Sequence, residues 1–224
     1  MHTYLVPITR AFRQNANAAN AAGAEAYLLN QFTFFGLKTP GRRRLCREHY
    51  RQYPVSGLTE LEAIVRECFA LPQREYQYFA IELFAWHKKQ WNASVIGLME
   101  ECLVTKSWWD SVDHIASEWL NDYFRLYPEN IGTVTGKWNR SANIWLQRSS
   151  ILFQKKFRKD TDTELLTRYI LHCSRSKEFF IQKAIGWALR EYSKTDPEWV
   201  SRFVQQHPLP ALSIREAIKR IERE

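Results

Sequence analysis

The sequence predicts an all-α fold, and three observations carry that prediction. Apolar residues recur at i, i+3, i+4 and i+7 almost throughout; glycine and proline number only eight each in 224 residues; and a helix pair returns about every 35 residues. Taken in order, Leu61, Ile64, Val65 and Cys68 mark a helix over 58–70, and Tyr76, Phe79, Ala80 and Leu83 mark another over 73–87. Thr59-x-x-Glu62, Thr161-x-x-Glu164 and Ser213-x-x-Glu216 read as capping boxes at helix starts. Thr39-Pro40 and Asp196-Pro197 each place a cap residue before a proline suited to the first helical turn. No alternating strand of useful length competes.

Helices beginning near Tyr76, Trp109, Trp145 and Phe180 superpose in sequence, with Ala80, His114, Ser149 and Ala184 in register at offsets of 34, 35 and 35. The clearest pair is Trp145-Leu146-Gln147-Arg148 against Phe180-Ile181-Gln182-Lys183, each followed by a second helix (163–172 and 197–205). Such a period predicts an α-solenoid of the HEAT, armadillo or TPR kind. No Gly/Ser/Pro-rich linker interrupts it, so residues 1–224 are expected to form one curved domain.

The net charge is +8, distributed as +5 over residues 1–60, −4 over 61–120 and +7 over 121–224. Two basic blocks around an acidic middle would attract nucleic acid in a salt-dependent way, although solvated helix faces account for the same excess. No apolar run is long enough to span a membrane, and the N-terminus lacks the charged and apolar regions of a secretory signal. Cys46, Cys68, Cys102 and Cys173 show no CxxC spacing and sit among apolar neighbours, as reduced thiols of a cytosolic protein do. The six histidines show no metal-ligating spacing, and GxSxG, GxxxxGK[ST] and GxGxxG are all absent.

In the repeat register Phe79, Asp113, Arg148 and Lys183 share one position, so a carboxylate lies beside two cations in successive layers. Trp109 is one helical turn before Asp113 and Trp187 one turn after Lys183, on the same faces. Each residue has a bland reading: core indoles, a surface ion pair, a solvated lysine. The coincidence of polar and aromatic residues where a core position would hold Leu or Ile favours a functional row. His114 adjoins Asp113, but neighbouring helical residues point about 100° apart and form no dyad.

At these residues the chain resembles a known family. Lys106-Ser107-Trp108-Trp109-Asp110-Ser111-Val112-Asp113, Asn143-Ile144-Trp145-Leu146-Gln147-Arg148 and the run from Lys177 to Trp187 are similar to hallmarks of the AlkD-type DNA alkylation repair family. The likeness extends from Phe34-Phe35-Gly36 and Thr39-Pro40 to Arg215-Glu216-Ala217-Ile218-Lys219. It implies HEAT-like repeats cradling duplex DNA in a concave face, and a DNA glycosylase that removes N3- or N7-alkylated purines without metal or cofactor. The family's catalytic set falls on Asp113, Trp109 and Trp187, with Arg148 as a phosphate-holding cation.

The expectation is therefore a monomeric, cytoplasmic bacterial protein, on the nucleoid when bound to double-stranded DNA, with Asp113 stabilising an oxocarbenium-like sugar between two indoles. Arg148 and Lys183 are expected to meet phosphates, as are the N-terminal end of the Thr39 helix and Arg42, Arg43 and Arg44. The alternatives are a noncatalytic binder of damaged or branched DNA and a helical scaffold for another protein.

Overall fold

Helices begin close to where local chemistry puts them. In a computed structural model that describes residues 1–221, the helices are α1 (Leu5–Gln14), α2 (Ala18–Tyr27), α3 (Thr39–Gln52), α4 (Leu58–Ala70), α5 (Arg74–Trp86), α6 (Val95–Val104) and α7 (Trp109–Ile115). Then follow α8 (Asn121–Leu126), α9 (Ile131–Asn139), α10 (Ile144–Leu152), α11 (Thr163–Cys173), α12 (Phe179–Tyr192), α13 (Pro197–Gln206) and α14 (Ala211–Ile218). The only extended pairing among the described residues is a bridge between Thr33 and Gln73. The fold is all-α. The chain forms two compact units, Met1–Leu98 and Met99–Glu224, the last residues of the second lying outside the described range.

In the first unit α5 is the central element, with α3 and α4 packed on it and α1 on α3. Leu5, Ile8, Phe12, Cys46, Leu61, Ile64, Phe79 and Leu83 are sealed from solvent. Each large apolar side chain so buried contributes about 1.5–3 kcal/mol relative to leaving it in water. Before α5 the chain wraps a buried acid: the N–H groups of Phe35, Gly36 and Leu37 donate to the Glu75 carboxylate at 3.0, 2.9 and 3.1 Å. Gly36 makes this turn possible, with φ +83°, and a Cβ there would sit 2.1 Å from the Asn17 carbonyl oxygen.

In the second unit α7 runs through a π-helical turn (Ala116–Leu120) into α8, and α10 runs into a 3₁₀ turn (Phe153–Lys156). α10 packs on α7, α9 and α12, and α12 on α14. Gly186 sets the α12–α14 approach: a Cβ would lie 2.5 Å from Glu216 Cβ and 2.7 Å from the Ser213 carbonyl oxygen. Ser213 fastens the same seam, its hydroxyl donating to the Gln182 carbonyl at 2.8 Å.

The caps partly correct the sequence expectation. Asp196 caps α13 as expected, accepting from Trp199 N–H at 2.8 Å. At α11 the cap is Asp162, one residue beyond the expected Thr161. At α4 Glu60, not Glu62, reaches back to Ser56 N–H at 2.6 Å, and at α3 Thr39 is already helical. Ser213 and Glu216 are not a capping box, because both lie inside α14 and face α12 and its cations. Cys46, Cys68, Cys102 and Cys173 are free, buried thiols. No helix among the described residues is long and apolar enough to cross a membrane.

Candidate active site

Three helix starts assemble the site in the second unit. Trp108 is extended at the N-terminus of α7, which sets Trp109 in the first turn and Asp113 in the second. Asn143 caps α10 by accepting from the N–H groups of Trp145 and Leu146 at 2.9 and 3.3 Å, and Arg148 follows one turn later. Phe179 opens α12, which carries Lys183, Trp187 and Arg190. An aromatic stack crosses the three helix starts, with ring centroids 5.8 Å apart for Trp108–Trp145 and 5.0 Å for Trp145–Phe180. It fixes the layers in the register of the sequence repeat.

Asp113 and Arg148, 35 residues apart, form a fork-on-fork pair: Nε donates to Oδ1 at 2.6 Å and Nη2 to Oδ2 at 2.8 Å. The third guanidinium nitrogen, Nη1, donates to the Phe180 carbonyl. Only 5 % of the Arg148 side chain and 12 % of the Asp113 side chain are exposed. Such a fork orients a carboxylate more strictly than a lysine could. The structure places the guanidinium expected at a phosphate in a buried fork on Asp113.

A cleft of about 310 Å³ opens in front of this pair, lined by Trp109, Asp113, Arg148, Lys183, Trp187 and, from α14, Glu216. The five residues that the repeat register puts in one row thus share one concavity. Lys183 reaches Glu216 at 3.1 Å, and Arg190 reaches the other Glu216 oxygen at 2.8 Å. Lys219 is a third donor to it. Burial pushes the Glu216 carboxyl up, but the Lys219 and Lys183 ammonium groups outweigh it and bring its pKa down to about 2. Lys183, 36 % exposed, therefore enters the cleft already paired.

One side chain here has no signal in the sequence. Lys155, in the 3₁₀ turn after α10, rests its Nζ 3.4 Å from the centroid of the Trp187 ring. Desolvation lowers its pKa to about 8, against the pull of Asp113 and Glu191. It lines a second cleft of about 740 Å³ with Glu191 and Lys194.

The remaining expected DNA contacts, Thr39, Arg42 and Arg43, belong to the first unit. Thr39 is exposed at the start of α3. Arg42 is 5 % exposed, and its Nη2 donates to Glu82 at 2.9 Å under the Tyr78 ring. Arg43 donates Nε to the same Glu82 oxygen at 3.0 Å but keeps 48 % of its side chain in solvent. No group of three or more His, Cys, Asp or Glu side chains is placed to hold a metal among the described residues.

The family model described as DNA alkylation repair enzyme matches residues 8–221. A solved structure of a predicted DNA alkylation repair enzyme from Enterococcus faecalis is similar at 30 % identity and a TM-score of 0.85, over 93 % of this chain and 98 % of that one. No curated protein matches.

Proposed function

From membership of the DNA alkylation repair enzyme family, to which this chain belongs, we propose that the protein is a glycosylase that hydrolyses the N-glycosidic bond of N3- or N7-alkylated purines in duplex DNA. The observation that carries this reading is an oriented, partly exposed carboxylate in a cleft walled by two indoles. Alkylation at N3 or N7 makes the purine cationic and a good leaving group. As the bond breaks, its electron pair neutralises the departing base and positive charge builds on the sugar. Each Asp113 oxygen accepts one hydrogen bond from Arg148 and keeps a lone pair for the sugar cation and for the attacking water. Water then adds to C1′ and releases a proton to solvent. Trp109 and Trp187 offer π faces to the same charge and keep bulk water away. Arg148 acts through Asp113 as a positioning residue.

Neither indole nor carboxylate recognises a neutral base, so charged adducts are the substrates and hypoxanthine and uracil are not. The test is release of free base from DNA carrying 7-methylguanine. The native protein should release it, and Asp113→Asn should be slower by at least about tenfold, the size of one transition-state interaction. Equal rates would remove Asp113 from the chemistry. Tight binding without release would make the protein a noncatalytic damage binder.

A further inference from the structure

Trp187 lines the Asp113 cleft, whereas Lys155 lines the larger cleft, and its Nζ lies 3.4 Å from the centroid of that same indole. The contact between ammonium and indole thus links the lining of one cleft to the lining of the other. Lys155 has no carboxylate within ion-pairing distance among the described residues, and its Nζ lies against the ring instead. An indole face attracts a cation through its quadrupole, and a cation already on one face weakens what the ring offers on the other. If the proposed reaction builds positive charge beside Trp187, the ammonium of Lys155 competes for that indole and repels the charge directly.

Resting on the proposed function, we propose that Lys155 is a positioning residue for Trp187 whose own charge state sets how strongly the Asp113 cleft stabilises a cationic nucleotide: a charged lysine restrains the reaction and a neutral one releases it. Asp113 on α7, Arg148 on α10, Glu191 on α12 and the adjacent Lys156 act on the charge of Lys155, and Arg125, Arg158 and Lys194 share its cleft. The two acids and the indole face favour its charged form, and the cations oppose it. Burial decides the balance and brings its pKa to about 8. The transition therefore lies just above neutrality. The lysine's proton is lost to solvent through the larger cleft, and no other bond changes.

The experiment measures single-turnover base release between pH 7 and 9.5, on DNA whose lesion keeps a fixed positive charge. Native protein, Lys155→Met and Lys155→Arg are compared. NMR titration of the Lys155 side chain in the free native protein and in Trp187→Ala runs beside it. The native rate should rise about threefold to tenfold with an inflection near pH 8, the size of one cation–π interaction with the indole. Lys155→Met should be flat at or above the upper plateau, and Lys155→Arg flat at the lower one. In the NMR arm the lysine should titrate near pH 8 and return toward the ordinary lysine range in Trp187→Ala, where solvent reaches it.

A Lys155→Met profile that still rises like the native one overturns the proposal, as does a lysine that titrates alike with and without the indole. If no variant releases base at any pH, the glycosylase reading fails on its own. Lys155 is then judged by the NMR titration and by affinity for the same DNA. Affinity that tightens with pH in native protein but not in Lys155→Met supports the coupling, and parallel affinities refute it.

Discussion

Each unit buries an arginine against a carboxylate from a neighbouring helix, and the pair in the second unit lines a cleft. In the first unit Arg42 meets Glu82 through a single nitrogen; Arg42 Nη1 and Glu82 Oε2 are buried without partners, and Arg43 crowds the oxygen already in use. In the second unit the Arg148–Asp113 fork uses both carboxylate oxygens, and the carboxylate looks out between indoles. The difference shows what makes an ion pair a site. The repeat position that holds Asp113 and Arg148 in the second unit is held in the first by Phe79, fully buried in the core. The same register therefore builds a packing layer in one unit and an electrostatic one in the other.

The largest effect expected is from cutting each pair. Arg148→Met should cost about 3–5 kcal/mol in denaturant unfolding, because Asp113 loses both guanidinium hydrogen bonds, and Arg42→Met should cost less, because Arg43 still donates to Glu82. Only Arg148→Met should also slow base release per folded molecule. Equal losses of activity would erase the distinction between the two pairs. Next in size is Gly186→Ala, whose added methyl group has no room against Glu216 and Ser213. It should destabilise by about 1–3 kcal/mol and reduce activity by moving the Glu216 edge of the cleft.

The mildest test uses acid. His49 in the first unit is held neutral by burial, its pKa lowered to about 4, so folding loses stability as pH falls from about 6.5 through 4. Glu216 in the second unit, at about 2, contributes stability that is full above its unfolded value near 4.5 and fades below it. Hydrogen exchange followed by unit should show the first loosening at higher pH than the second. Simultaneous loosening would mean that these two groups do not set the acid response.

Much of this was legible in the sequence where spacing is local. The helices over 58–70 and 73–87, and the starts near Trp109, Trp145 and Phe180, follow from apolar period and caps. The row from Trp109 to Trp187 follows from one repeat length, because stacked equivalent helices bring equivalent positions together. What the sequence hid depends on long-range packing. Arg42 looks like one of three exposed arginines until Glu82, 40 residues on, draws it inward. Ser213 and Glu216 fit a capping box but serve α12. Lys155 lies two turns past Arg148, where α10 tightens into a 3₁₀ turn, and no periodicity rule places it on an indole.

Glu216 reaches this cleft from α14, so the polypeptide acquires the balancing negative charge only after α7, α10 and α12 have been made. A nascent chain ending before α14 would present Lys183 and Arg190 without their acid, a groove more attractive to any polyanion. The order of translation thus separates gripping from discrimination: the cations of α12 leave the ribosome before the acid that restrains them.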